Sequence, residues 1–285
     1  MSEYIKGILL TSAGVLILSI DSLLIRLIAA DSFDLLFWRG LLMSIAISFV
    51  LKIQRSTSSW LPMDAVSLRS SFLMAIHIVA FVMAINLSNV ANVLVILSAA
   101  PLFAAVLGWI FLREMPQPIT WAAILLAMIG IGWVLAGSWS EPNFKGDLLA
   151  LICCIGLAAR FVNDRAVSYR DMTPSLIVAG LMLALVSFFA GSPMGFSGNS
   201  WWYMVALCLF VSPLALTLIT IGPMRLPAAE VGMLMLLETA VGPLWVWLFL
   251  SEEPSSAALQ GGSLVIGTLL LHSLYQWRQN QLESV

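Results

Sequence analysis

Ten stretches of mostly apolar residues, each roughly 18–23 long, set the limits on what this chain can fold into. They fall at roughly 5–27, 34–52, 66–86, 91–112, 119–136, 146–164, 174–191, 201–221, 228–250 and 257–275. A hydrocarbon layer ~30 Å thick is crossed by a helix of about 20 such residues. Inside lipid every backbone N–H and C=O must be satisfied internally, and for runs of this length that leaves α-helices. Polar and helix-breaking residues punctuate the series: Gln54 to Pro62, Pro116-Gln117-Pro118, Ser138 to Gly146, Pro193 to Ser200 and Pro223 to Pro227. The connection from Asn86 to Val90 is so short that the helices it joins must run antiparallel.

Composition agrees with a lipid solvent. The chain is 61% hydrophobic and 10% charged, with a mean hydropathy of +1.01, where soluble domains carry roughly 25% charged residues. A net charge of −2 without basic or acidic blocks gives nucleic acid no footing. Cys153, Cys154 and Cys208 lie inside apolar runs and read as small packing residues. No spacing of His, Cys or carboxylates suggests a metal, and no cofactor is expected. The first apolar run is long, contains Asp21 and lacks a small-x-small cleavage site, so it reads as an uncleaved helix, not a signal peptide.

The run ends repeat. Trp109-Ile110-Phe111-Leu112-Arg113-Glu114-Met115-Pro116 and Trp247-Leu248-Phe249-Leu250-Ser251-Glu252-Glu253-Pro254 share Trp, Phe, Leu, Glu and Pro at a spacing of 138. The same register pairs Ala91 with Ala229 and Val93 with Val231, and a shift of 139 pairs Gly7 with Gly146 and Arg26 with Arg165. Two modules follow, 5–136 and 146–275, of five spans each. Five is odd, so the second module enters the membrane from the opposite side and the repeats are inverted. Glu114 and Glu252 then belong to opposite surfaces. With the N-terminus cytoplasmic, Lys6, Lys52, Arg55, Arg69, Arg113, Arg165, Arg170, Arg225 and Arg278 lie inside, against Arg26, Arg39 and Lys145 outside. That asymmetry places both termini in the cytoplasm of a bacterial-type inner membrane. Inverted repeats are a recurring plan of secondary transporters, with the substrate near the midplane between them.

Further motifs sharpen the architecture: Phe37-Trp38-Arg39 opening the second span, Ala99-Ala100-Pro101 within the fourth, and Leu237-Glu238-Thr239-Ala240-Val241-Gly242-Pro243-Leu244-Trp245 in the ninth. With the two Glu-x-Pro ends, their order and duplication resemble the drug/metabolite transporter superfamily, specifically its EamA branch, over nearly the whole chain. The resemblance implies an all-α integral membrane fold of ten helices in two inverted five-helix repeats. It also implies export or exchange of amino acids, their precursors, nucleotide-related metabolites or toxic organic compounds. Ser251 and Glu253 in place of Arg113 and Met115 depart from strict repetition, so the repeat ends are not interchangeable in charge.

Charges within spans mark candidate function. An ionisable group at mid-bilayer costs roughly 2.5–3.5 kcal/mol on insertion scales. Asp21, Arg160 and Glu238 lie well inside spans, and His77 adds an imidazole. Asp21 and Arg160 are register mates, but each sits about 7 Å past mid-span in helices running oppositely. Glu238 and His77 fall near the midplane. Arg160 is expected to reach Glu238 or a bound anion, and Asp21 to face the outer half of a cavity. The plainer alternatives are Arg160 snorkelling toward Asp164, Glu238 as an interhelical hydrogen-bond partner, Asp21 holding a neighbouring helix or Arg26, and His77 as a packing residue. Arg26 and Arg39 read as outer anchors, and Trp60, Trp139, Trp201 and Trp202 as interfacial aromatics. Asn86, Asn89 and Asn92 suit either hairpin turn chemistry or a gate. Pro101, Pro213 and Pro243 interrupt spans, a pointer to the binding region. The candidate substrate-binding or coupling set is Asp21, His77, Arg160, Glu238, Asn92 and Trp38.

The function expected is a secondary transporter, an exporter or exchanger of a small organic solute, working by alternating access as a monomer or homodimer. Its partners are that solute, membrane lipid and, as a candidate coupling ion, the proton. A non-transporting membrane receptor or assembly subunit is the alternative. No nucleotide-binding loop and no catalytic constellation of His, Ser or paired carboxylates occurs, so neither ATP coupling nor an enzyme is expected.

Overall fold

The computed structural model describes residues 3–53, 63–113, 115–137, 143–167, 170–191, 200–225 and 228–283, and among these the secondary structure is helical without strands. Arg55, Trp60, Glu114 and Trp139 lie outside the described residues. The helices are α1 (Glu3–Leu18), α2 (Asp21–Ile28), α3 (Ser32–Ile53), α4 (Ala65–Leu87), α5 (Val90–Ser98), α6 (Ala100–Leu112), α7 (Pro118–Gly137), α8 (Phe144–Arg165) and α9 (Thr173–Ala190). After them come α10 (Ser200–Val205), a π-helical segment Ala206–Val211, α11 (Ser212–Ile221), a 3-10 turn Gly222–Arg225, α12 (Ala228–Leu250) and α13 (Ser256–Glu283). Eight helices are long and apolar enough to cross a membrane, three of them formed by joining α1 to α2, α5 to α6 and α10 to α11. Shorter apolar stretches, Leu234–Leu250 and Ser256–His272, run within α12 and α13.

Hydrogen bonds sort the helix ends into two layers. In the layer of Glu3, that carboxylate meets Arg225 after α11 at 3.0 Å, Asp64 before α4 meets Arg170 before α9 at 2.9 Å, and Thr120 of α7 meets His272 of α13 at 2.9 Å. In the opposite layer Asn86 at the end of α4 donates to Ser32 at the start of α3, and Arg26 near the end of α2 donates to the Ser88 carbonyl. Glu252 after α12 accepts from Val90 N of α5 and from Arg26. The residues between α4 and α5 are two, Ser88 and Asn89. Asn89 caps α5 by accepting from Ala91 N at 2.9 Å, as Asp64 caps α4 through Ser67 N at 3.2 Å.

The interior is apolar, as in a soluble protein, but the surface is apolar too. Phe49, Phe111, Leu185, Phe189, Leu248 and Leu271 are exposed, the arrangement lipid favours, while Leu35, Leu36, Met43 and Ile47 are fully buried. Between helices small polar residues replace hydrophobic drive. Ser71 of α4 donates to the Ser175 carbonyl of α9 at 2.8 Å, and Ser44 of α3 donates to the Ile177 carbonyl at 3.0 Å. Gly40 and Gly180 let α3 and α9 touch: a Cβ on Gly40 would collide with the Gly180 carbonyl, and one on Gly180 with Ser44 Oγ and the Gly40 carbonyl. The other extensive pairings are α4 with α8, α1 with α11, and α7 with α13.

The repeated run ends also share a conformation. Arg113 and Ser251, mates at a spacing of 138, both adopt left-handed backbone, with φ of 58° and 55°. Each closes its helix through its own N–H, Arg113 to the Gly108 carbonyl and Ser251 to the Trp247 carbonyl. A β-carbon disfavours this geometry, and in both places the residue stands three before a proline, Pro116 and Pro254.

Candidate functional site

Three spans are interrupted, and each interruption has a local cause. Between α1 and α2, Ser19 Oγ donates to the Leu16 carbonyl at 2.7 Å, back-bonding of the kind that bends helices. Ser98 does the same to the Val95 carbonyl between α5 and α6. There Pro101 lacks the N–H that would have met the Leu97 carbonyl; the Cys154 thiol approaches that carbonyl instead, at 3.9 Å. The π segment precedes Pro213, and Ser212 N bonds the Leu207 carbonyl five residues back. Helix α12 reaches the first break and the middle of α5: Trp245 Nε1 donates to Ser19 Oγ at 3.1 Å and Thr239 Oγ1 to the Leu94 carbonyl at 3.4 Å. Pro243 was expected to interrupt this span, yet α12 continues through it.

Two of the breaks deliver polar groups to one place. Asp21 opens α2 directly after the first break, and Ser212 opens α11 directly after the π segment. Ser212 Oγ donates to Asp21 Oδ1 at 3.2 Å, and Arg39 Nη2 of α3 donates to Asp21 Oδ2 at 2.9 Å. The side chains of Arg39 and Asp21 are 3% and 1% exposed. The outer-anchor reading of Arg39 is therefore corrected. Helix α3 begins at Ser32, which puts Arg39 two turns, about 10 Å, along the helix, and a carboxylate awaits it there. Arg26 likewise does not simply snorkel, because it ties Ser88 to Glu252. Among the described residues, Arg39 Nε and Nη1 are buried without a hydrogen-bond partner.

The other candidates are distributed around this pair. Glu238 of α12 is half-buried, makes no hydrogen bond or ion pair among the described residues, and projects from a helix packed against α1 and against α2, which Asp21 opens. His77 Nδ1 of α4 stands 3.2 Å from the Cys153 carbonyl and 3.1 Å from its thiol, and the ring stacks on Phe81. Among Asp21, Arg39, Glu238, His77 and Cys153 the direct contacts are thus two, Asp21 with Arg39 and His77 with Cys153. Arg160 does not pair with Glu238: its Nε is 3.3 Å from Asp164 Oδ2, one turn along α8, and its Nη1 donates to the Met74 thioether at 3.0 Å. The helix supplies that carboxylate at no cost in chain ordering, whereas Glu238 projects from a different helix.

Asn92 and Trp38 make other contacts. Asn92 Nδ2 donates to Asp147 Oδ2 at 3.1 Å and its carbonyl oxygen accepts from Ser255 at 2.9 Å. Asp147, fully buried, also accepts from Ser88 Oγ. Trp38 makes edge contacts with Phe37 and Trp201 at 5.3 and 4.9 Å. Arg39, Ser212 and Asp147 went unselected by sequence reasoning. The sequence signal for Arg39 was its depth within its helix, and for Ser212 its place beside Pro213. Among the described residues no group of three or more His, Cys, Asp or Glu is arranged to hold a metal.

Known proteins align with this architecture. A crystal structure titled only as that of a protein superposes with a TM-score of 0.71, covering 94% of this chain and 98% of its own, at 17% identity. Likeness at that identity carries the fold alone. No curated protein matches the chain. The description of the EamA-like transporter family matches residues 5–136. Over residues 5–136, somewhat under half of its length, this multi-pass helical membrane protein is similar to the EamA-like transporter family.

Proposed function

We propose that this protein is a secondary transporter that exports or exchanges a small organic metabolite, an amino acid or related compound. It works by alternating access between two inverted five-helix repeats, 5–136 and 146–275, with ten spans and both termini cytoplasmic. The observation that carries the reading is Glu238. A half-buried carboxylate without a partner, on a helix packed against α2, whose Asp21 is buried with Arg39 where broken helices meet, suits a zwitterionic solute. The shared left-handed turns at Arg113 and Ser251, and the packing of α3 on α9 and α7 on α13, support a duplicated and inverted plan. In this reading Asp21, His77 and Glu238 border the solute, Trp38 and Asn92 belong to the outer closure, and Arg160 to the inner one.

Comparing metabolites inside and outside cells that lack or overproduce the protein identifies solute and direction. Proteoliposome flux with and without an imposed pH gradient then separates proton coupling from facilitated exchange. Glu238→Gln is expected to cut flux at least tenfold while thermal unfolding stays near that of the parent. If Asp21, Arg160 and Glu238 are each neutralised with no change in flux of any solute, the receptor or assembly reading replaces this one.

A further inference from the structure

Arg39 is the most under-used group in the interior. A guanidinium carries five N–H donors in a planar fork suited to carboxylates. Asp21 takes one of them, through Nη2 alone, while Nε and Nη1 are buried with no acceptor among the described residues. A buried donor left unmet is destabilising, and more so on a charged group. A site that served only to pin α2 to α3 would engage the carboxylate through both of its oxygens. Here the second oxygen, Oδ1, turns to Ser212 of α11 instead. The arginine is also held firmly from behind. Its neighbour Gly40 is locked against Gly180, and Ser44, one turn on, is tied to the Ile177 carbonyl. Asp21 and Ser212, by contrast, each follow an interruption in their helix. The fixed partner is the cation, and the partners able to shift are the acceptor and its donor.

We propose that Arg39 is the oxyanion receptor of the transport site, that its ligand is a carboxylate on the solute, and that Asp21 holds the place of that carboxylate in the empty site. This rests on the transporter reading above and adds to it the group that is recognised. When the solute arrives, its carboxylate takes the unused donors of the fork. Asp21 then loosens from Nη2 and keeps its bond from Ser212. Glu238, without a partner of its own, is left for the opposite, cationic end of the solute. Arg160 is not equivalent: its acidic partner Asp164 lies on its own helix, it donates to Met74, and one of its nitrogens, Nε, against two of Arg39's, is buried without a hydrogen bond among the described residues.

The test uses the full chain purified in lipid nanodiscs and pairs of solutes that differ in one group. Thermal unfolding is followed with phenylalanine against phenylalaninamide, leucine against leucinamide, and succinate against succinamide. At least one acid is expected to bind tenfold or more tightly than its amide. Arg39→Lys, which keeps the charge but loses the fork, weakens that acid tenfold or more. Asp21→Asn removes the competing carboxylate and binds the acid tenfold or more tightly, an outcome that a merely structural Asp21 does not give. The proposal is overturned if acids and amides behave alike, including the case in which neither binds, or if Asp21→Asn weakens acid binding. Should Asp21→Asn not fold, the acid–amide comparison on the parent protein decides. Failure of the transporter reading looks different: acids bind and depend on Arg39, yet no solute crosses a proteoliposome membrane.

Discussion

Arg39 finds its carboxylate on another helix, whereas Arg160 finds one four residues along its own. Both arginines are nearly buried, and in both the contact is close, 2.9 Å to Asp21 and 3.3 Å to Asp164. The difference is in what each pair holds. The Asp21–Arg39 pair joins α2, α3 and, through Ser212, α11, so it exists only when those elements are assembled. The Arg160–Asp164 pair needs only that α8 be helical. It opens toward the layer of helix ends, Asp164 being 21% exposed against 1% for Asp21. A buried charge pair can therefore be an assembly point or a local accommodation, and proximity alone does not distinguish them.

The first way to break this comparison is to remove one member of the interhelical pair. Arg39→Met leaves Asp21 charged and buried, and breaking such a pair costs about 3–5 kcal/mol. Thermal unfolding should show a large loss for Arg39→Met and for Asp21→Leu singly. In the double variant most of it should return, because two apolar side chains of similar volume replace two buried charges. Losses that simply add would mean that the two residues do not act as a unit, and the contrast with Arg160 would collapse.

For Arg160 and Asp164 the same cycle should give a much smaller coupling. An arginine N-terminal to its acid at i,i+4 is the weaker orientation, worth about 0.2–0.5 kcal/mol on a helix surface, and partial exposure keeps the total below about 1 kcal/mol. Arg160→Met alone also loses the Met74 contact, so the informative quantity is the coupling and not the single loss. A coupling as large as that of Asp21 and Arg39 would make α8 a second assembly point.

These two pairs also show what was legible in the sequence. Apolar run length is a one-dimensional property, so the long apolar helices and the family resemblance were available before any contact was known. Pro101 announced the break between α5 and α6. The break between α1 and α2 has neither Pro nor Gly and comes from Ser19 turning back on its own helix, a choice serine makes in some contexts and not others. That break sets where Asp21 points, and the start of α3 at Ser32 sets how deep Arg39 lies. A surface-anchor reading of Arg39 follows naturally from counting charges near run ends, and it fails because depth is measured from the helix start. Arg160–Asp164 was open to sequence reasoning because i,i+4 geometry is intrinsic to the helix. Glu238 was legible as a mid-span charge, but its lack of a partner was not, since an absence of neighbours is a property of three dimensions.

The smallest effect belongs to a third arginine–carboxylate pair, outside the spans. Arg170 Nη2 lies 2.9 Å from Asp64 Oδ1, with both side chains about two-fifths exposed, 39% and 42%. The Arg170 hydrogen bond, helped by Ser67, holds the Asp64 carboxyl at about 2, below its ordinary 3.8. A carboxyl whose folded value is depressed adds stability above its unfolded value and loses it as pH falls through the folded one. The contribution is therefore complete above about pH 4 and fades as pH drops toward 2. Solvent screening limits it to below about 1 kcal/mol. Asp64→Asn keeps the cap on α4 but loses the charge, so the gap in unfolding temperature between parent and variant should be a degree or two at pH 6, shrink as acid is added, and narrow further in high salt. A gap that widens in acid would reverse the sign of the linkage and show that Asp64 is held protonated, not ionised, in the fold. A gap as large as that of Arg39→Met would show that pairing between helices, and not burial, decides the size of these effects.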